Sequence, residues 1–426
     1  MSYRWIATIA LALLAGQIIS QEQLTLNQAV RLALEHNGDL IASRLNTEAA
    51  RARTDGAKSQ YFPTVSPNYR YQTFATRANG QTTSGDSRVF DVSADWLALD
   101  TGQRNLSYQQ ARTSLSSSIE AQRFATKQLI FLTIRAYYDV TRRKELLRVA
   151  QASVERSQRL YDLAKFQADP AIGTAPQKDV LQAEADLANS QVQLISAQNS
   201  FETSTTELKR LIGWDLRKPL PELEPTPEIQ PVADKPSLEQ LWQVALRDRP
   251  DIRQEALSLQ LQRLGLQSAK LRLLPSLQVV ASGVSRIDPN RSDTGQISVV
   301  ASYPLFDAGL TRANHREAQA SYDAARYRYE QSERDAQAEV EQTLLNYTES
   351  ERRAEASKKA VAAAQKNYEA ARDSLAEGAG TVIEVLTAQV SLVTAETSFI
   401  QAVYDFYVAE LQLRLAIGAD LPEEKQ

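Results

Sequence analysis

The sequence predicts a mainly α-helical chain with a membrane β-barrel portion, assembled from an internally duplicated long-helix hairpin that contributes four β-strands per chain. Three observations predict it. Residues 25–72 recur in weakened form at 237–284, two stretches of sixty-odd residues carry helix formers with no Pro or Gly, and four short segments alternate apolar and polar residues.

The duplication is read at fixed separations. At +212, Leu26 meets Leu238, Ala33-Leu34 meets Ala245-Leu246, Asp39 meets Asp251 and Pro63 meets Pro275. At +207, Asp100 meets Asp307, Gly102 meets Gly309 and Tyr161 meets Tyr368. At +205, Leu181 meets Leu386, Phe201 meets Phe406 and Ile212-Gly213 meets Ile417-Gly418. The steps fall at 63–100 and 161–181, where connections absorb length changes. A unit present twice is a duplicated domain rather than a solenoid, which needs about three repeats.

The N-terminus (1–20) carries Arg4, an apolar run from Trp5 to Ala15 and a small residue, Ser20, before Gln21, the pattern of a secretory signal peptide. The first repeat is placed at 21–218. Thr25 to His36 has helical apolar spacing, Asn37-Gly38 breaks it, and a second helix runs from Asp39 to Gln60 until Pro63 ends it. A β-hairpin follows at about 65–99, with strands over Val65–Thr73 and Phe90–Leu99 and a polar loop holding Asn79-Gly80 and Ser84-Gly85-Asp86. Asp100-Thr101-Gly102 turns the hairpin into a long helix (about 103–168). A break at Asp169–Thr174 leads to a returning helix (about 174–212).

Prolines 219, 221, 225, 227, 231 and 236 make 219–236 an extended linker, read as a strap. The second repeat (237–420) mirrors the first, with a hairpin at about 277–306, a long helix at about 310–376 and a returning helix at about 381–417 before the tail 421–426. Sixty-odd helical residues span roughly 95 Å, more than a compact domain holds. The short and returning helices together match that length, so each copy reads as a long helix lying against a stacked pair.

Net charge is −4 with both signs scattered, so no nucleic-acid surface is expected. Cys is absent, which removes disulfides and thiolate chemistry. His36 and His315 lack a second ligand at metal spacing, and no phosphate loop or nucleophile motif is present, so neither cofactor, metal nor enzyme is expected.

The strands carry the physical demand. About 10 residues crosses a bilayer at a tilt, yet four strands cannot close, and open edges are intolerable in lipid. Transmembrane strands therefore require several copies, eight strands from a dimer or twelve from a trimer. Arg70, Asp91 and Asp95 share the face read as lumenal; Tyr69, Tyr71, Trp96 and Tyr303 share the face read as lipid-facing. Helical seams rich in small residues (Ala111-Ser114-Ser118, Ala354-Ala356-Ala360-Ala364) suit close, wet packing.

In order and spacing, Leu26-Asn27-Gln28-Ala29 through Ala33-Leu34, Arg249-Pro250-Asp251, Leu274-Pro275, Leu305-Phe306-Asp307-Ala308-Gly309 and Leu386-Thr387-Ala388-Gln389 resemble the TolC-like outer membrane efflux protein family. The resemblance covers essentially the whole mature chain. It implies a homotrimer with a 12-stranded outer-membrane barrel and a periplasmic helical tunnel. It implies a passive exit duct for toxic small molecules or secreted proteins, served by a periplasmic adaptor (membrane fusion protein) and an inner-membrane pump. The turns carrying Gly173, Thr174, Gly378, Gly380 and Thr381 look like the family's adaptor-docking tips.

Asp373 and Glu377, one helical turn apart before the second tip, would form a six-carboxylate periplasmic gate where three copies converge; the plain alternative is a solvated helix end. For the glycines the alternative is a turn that needs φ > 0 and nothing more. An exported soluble coiled-coil scaffold or adhesin, and a toxin that inserts its hairpins on demand, are competing readings of the whole chain. Detergent-dependent extraction separates them.

Overall fold

The computed structural model describes residues 23–169, 176–224, 237–272, 274–288, 291–303 and 305–421. The signal-peptide assignment, the first tip (Gly173, Thr174) and most of the Pro-rich linker lie outside them. In chain order the elements are α1 (Leu26–His36), α2 (Gly38–Ser59), β1 (Thr64–Ala78), β2 (Gln81–Leu99), α3 (Gln103–Gln167) and α4 (Gln177–Ile212). Then come α5 (Leu238–Asp248), α6 (Pro250–Leu271), β3 (Ser276–Asp288), β4 (Ser292–Ser302), α7 (Leu310–Ala376) and α8 (Val382–Ala416).

Two compact units result, and each draws on both copies of the duplication. Unit 1 holds 1–41, 125–249 and 336–426; unit 2 holds 42–124 and 250–335.

Atomic detail repeats between the copies. Thr25 caps α1 and Ser237 caps α5, each in a capping box with the residue three on, Gln28 or Gln240. At the far end of α1, the Asn37 amide donates to the Leu211 carbonyl (3.4 Å); the equivalent Arg249 donates to the equivalent Ala416 carbonyl (2.9 Å). These donors serve the orphan carbonyls of α4 and α8. Gly213 and Gly418 close those helices at φ 68° and 69°. A side chain there would also collide, with His36 Cβ at 2.6 Å in one copy and the Arg249 amide at 2.8 Å in the other.

In unit 1, Ala29 and Ala33 of α1 and Leu40 at the start of α2 pack against Leu129, Tyr137, Val140, Leu208 and Ile212. The chain entering α1 is zipped to the start of the linker: Leu24 N–H donates to Glu222 O (2.8 Å) and Glu224 N–H to Leu24 O (3.3 Å). Tyr137 fastens both, its hydroxyl donating to Leu24 O at 2.9 Å with Glu224 O at 3.3 Å. Burial pushes its phenol up to about 12. A second cluster surrounds Leu160, Ala183, Val385 and Leu392, and a third stacks Tyr347 on Phe406 at 5.4 Å.

In unit 2, α2 lies close enough to α3 for side chain to reach backbone. Thr47 donates to Ser118 O (3.3 Å) and Thr54 to Ala111 O (3.3 Å). Such approach is possible because Ala and Ser line the seam.

The sheet is antiparallel in the order β1-β2-β3-β4, so the two hairpins join through β2 and β3 and leave β1 and β4 as edges. The strands have 15, 19, 13 and 11 residues, longer than the expected ten. The polar loop expected between Thr73 and Phe90 is instead strand. Asn79 (φ 52°) and Gly80 (φ 79°) make a two-residue turn, and 72–78 pair with 81–87 as seven further rungs. Those rungs lie past Arg88↔Asp288, the last pair of the β2–β3 ladder. In the second hairpin the strand ends at Ser302 rather than Phe306. Pro304 has no N–H to continue a ladder.

Each sheet–helix junction is an aspartate cap. Asp100 accepts from Gly102 N–H (3.1 Å) and Arg104 N–H (2.6 Å); Asp307 accepts from Gly309 N–H (3.0 Å) and Thr311 N–H (2.8 Å). Thr101 and Ala308 sit at φ 53° and 51°, followed by Gly102 and Gly309 at 98° and 90°. Burial alone would raise Asp100, but the amides of Arg104 and Gly102 and the Arg104 guanidinium outweigh it and hold its carboxyl below the ordinary range. Asp100→Ala is expected to destabilise the fold by ~1–2 kcal/mol at pH 7, read from the midpoint of heat unfolding. Because the folded pKa is depressed, this contribution is complete above the unfolded value of about 4 and is lost as pH falls through the lower one. The wild-type advantage should therefore vanish in strong acid.

Candidate functional site

Two places hold the residues that the sequence singles out: the faces of the sheet in unit 2 and the turn between α7 and α8 in unit 1. They are built differently.

Register decides the faces of the sheet. Opposed residues share a face and successive residues alternate. Thr64, Ser66, Asn68 and Arg70 on β1 oppose Asp95, Ser93, Asp91 and Val89 on β2, giving one polar row. Asn68 Nδ2 donates to Asp91 Oδ2 at 3.0 Å within it. Arg70, Asp91 and Asp95 are thus on one face. Val65, Pro67, Tyr69 and Tyr71 oppose Ala94, Val92, Phe90 and Arg88 on the other, and Trp96 falls in the same row. That row continues across the join, since Trp96 pairs with Val279 and Ala94 with Ala281, which pair in turn with Val299 and Ile297. Tyr69, Tyr71 and Trp96 are 64%, 54% and 41% exposed, and Ile297 78%, an apolar surface that nothing among the described residues covers. Tyr303 is also exposed but lies just beyond β4, outside the ladder.

At the base of the first hairpin, Arg104 forms a clamp the sequence did not signal. It reaches Asp100 Oδ2 (3.0 Å) and Ala98 O (3.2 Å) and lies 5.3 Å over the Tyr61 ring. Trp96 Nε1 donates to Tyr61 O (3.2 Å). The equivalent of Arg104 in the second copy is Thr311, which only bonds Asp307. There Leu305 and Phe306 stand 88% and 90% exposed.

The second turn is ordered by its own backbone. Gly378 N–H donates to Leu375 O (3.1 Å), while Ala379 and Gly380 N–H both donate to Ser374 O (2.9 and 3.0 Å). Thr381 caps α8 in a capping box with Glu384, a partnership the sequence reading did not name. The two glycines are there for different reasons. Gly378 has φ 77° and open space where a Cβ would stand. Gly380 has no positive φ, but a Cβ would lie 3.0 Å from Leu375 N and 3.1 Å from Ser374 C. A side chain at Gly380 would therefore press on the turn's own backbone, whereas Gly378 faces open space.

Asp373 is exposed and held by its neighbour, Arg372 Nη2 donating to Oδ1 at 2.7 Å; its carbonyl accepts from Glu377 N–H (3.0 Å). Nothing in the charge pattern of 372–377 had singled out Arg372. His36 sits against Gly213 with its ring Nδ1 3.1 Å from Leu32 O. Among the described residues no group of three metal-ligating side chains occurs, and no helix is long and apolar enough to cross a membrane.

The comparisons agree with one another. The profile described as outer membrane efflux protein matches residues 29–214 and 241–419, that is, both copies. The outer membrane protein TolC of Escherichia coli is 24% identical over 438 residues, covering 96% of this chain and 85% of the relative. The alkaline protease secretion protein AprF of Pseudomonas aeruginosa is 24% identical, covering 91% and 83%, and the probable efflux pump outer membrane protein TtgC of Pseudomonas putida 26%, covering 94% and 84%. Among solved structures, the Campylobacter jejuni CmeC outer membrane channel superposes with TM-score 0.84 at 19% identity, covering 94% of this chain and 87% of that one. The outer-membrane channel OprN gives 0.82 at 21%, covering 94% and 91%. With the duplication, the paired hairpins and the profile match spanning both copies, the chain belongs to the outer membrane efflux protein family.

Proposed function

We propose that this chain is the outer-membrane exit duct of an efflux or secretion machine. Three copies would complete a 12-stranded barrel, and the long helices would extend the conduit into the periplasm. The observation that carries the reading is the sheet: an exposed apolar face, a polar face, and two edges left unpaired among the described residues. Backbone groups at such edges cost several kcal/mol each in lipid, so other copies must pair with them. Leu305 and Phe306, bare at the base of the second hairpin, fit the same demand for lipid or a neighbouring copy. The duct would be passive and non-enzymatic, served by a periplasmic adaptor and an inner-membrane pump; names such as efflux pump and protease secretion among the relatives support that setting.

The direct test is function with purified protein. A heat-sensitive trimer extracted only by detergent should conduct ions in planar bilayers, and deletion of the gene should leave cells hypersensitive to toxic compounds. A water-soluble monomer without ion flux overturns the proposal. The same bilayers test the gate. If Asp373 and Glu377 of three copies ring the mouth, replacing both with Ala should lower cation preference, seen as a reversal potential shifted toward zero. Unchanged reversal potentials would refute the ring and leave a solvated helix end whose Asp373 is already paired to Arg372.

A further inference from the structure

Unit 1 contains a cavity of about 470 Å³ that no step of the conduit reading uses, enclosed by α3, α4 and α8. Its α3 wall is one helical face. At about 100° per residue, Arg135, Tyr138, Asp139 and Arg142 cluster together, about 200° from Tyr137 in the case of Arg135. Tyr137 is the residue fastened to Leu24 and Glu224, so the cavity opens on the face away from the strap.

Its charges are equal in number but unevenly paired. Three guanidiniums line it, those of Arg135, Arg142 and Arg143, against the carboxylates of Asp139, Glu207 and Asp405. Two of those carboxylates are already held by arginines that do not line the cavity: Glu207 by Arg210 (2.6 Å) and Asp405 by Arg353 (2.8 Å). Asp139 is left facing the three cations, with Asp405 Oδ1 also 3.7 Å from Arg142 Nη1. Arg142 Nη2 bonds it, but the buried Nε–H groups of Arg142 and Arg143 have no hydrogen-bond partner, the latter lying 3.6 Å from Asp139. Arg135 is exposed and its guanidinium makes no ion pair or hydrogen bond among the described residues. Buried donors without acceptors are costly, and a carboxylate, sulfonate or phosphate would supply them. The remaining wall is apolar, with the rings of Tyr138 and Tyr404 and the side chains of Leu132 and Val408. A volume of this size suits a small organic molecule.

We infer that this cavity is a binding site for an organic anion with an aromatic or apolar body. Its acid group would sit among Arg135, Arg142 and Arg143, and its body between Tyr138 and Tyr404. The inference goes beyond passive conduction, and binding is measured on purified protein, so failure to bind and failure to conduct are separate results.

The test is equilibrium titration of the detergent-extracted protein with 2-naphthalenesulfonate, with 2-naphthylmethanol and 2-naphthylmethylammonium as neutral and cationic controls. Saturable binding of one sulfonate per chain is expected, with the cation excluded and affinity falling as salt rises. Arg135→Gln removes an unpaired charge without breaking any bond in the chain, and should weaken binding at least tenfold. Arg143→Gln should do so as well. Equal affinity in wild type and Arg135→Gln, or equal affinity for the cation, overturns the site. So does absence of saturable binding at low salt, which is what a neighbouring copy filling the cavity would give.

Discussion

An arginine at position 92 is expected to abolish the trimer, while an arginine at position 93 is accepted. Val92 and Ser93 are adjacent in β2, and the register puts them on opposite faces: Val92 opposes Pro67 and Gly283, Ser93 opposes Ser66 and Ser282. Val92 is near the middle of the β2–β3 ladder, where a lipid-facing Arg costs ~2–4 kcal/mol per chain. Three copies would multiply that to roughly 6–12 kcal/mol for a trimer, comparable to the whole stability of a folded domain. A steric explanation can be set aside, because Gly283 and Gly295 leave an open depression beside Val92 into which a long side chain fits. At Ser93 the same charge would join Arg70, Asp91 and Asp95 in the polar row. It should alter ion selectivity and leave assembly intact. The measurement is the heat-sensitive oligomer on gels of membrane fractions. Normal trimers from Val92→Arg would show that this face does not meet lipid.

How much of this was legible in the sequence follows the range of each interaction. The sheet–helix turns were visible as Asp-Thr-Gly and Asp-Ala-Gly because their bonds close within four residues and the Gly is demanded by φ near 90°. The helices were visible because nothing interrupts them. The outer half of the first hairpin was not. Gln81-Thr82-Thr83-Ser84-Gly85-Asp86-Ser87 has no apolar row, so period two leaves no trace, although Asn79-Gly80 is itself the hairpin signal. Phe74 lies over Gly85 there, at 3.1 Å from where a Cβ would stand. The reach of Arg104 to Tyr61 and the cavity were illegible for another reason. Asp139 lies one turn from Arg142 on α3, but Asp405 reaches the same arginine through folding alone, and no local spacing announces that meeting.

Substitution at the second tip should separate a docking surface from a turn, and it is the glycines' different constraints that allow it. Gly380→Phe is expected to abolish drug efflux while trimers still assemble, as docking by close approach requires. On its own that result is ambiguous. A Cβ at 380 falls 3.0–3.1 Å from the backbone of Ser374 and Leu375, so the turn must shift before any partner is considered. Gly378 resolves the ambiguity. Its φ of 77° is the left-handed region, which Asn enters at little cost, and the space beyond its missing Cβ is empty. Gly378→Asn therefore keeps the turn and adds a side chain only where another chain would lie. If an adaptor backbone seats here, efflux should fall in Gly378→Asn with unchanged trimer heat stability and unchanged bilayer conductance. Normal resistance in both variants removes the docking assignment. Loss in Gly380→Phe alone assigns that glycine to the turn, where the contacts of its absent side chain already place it.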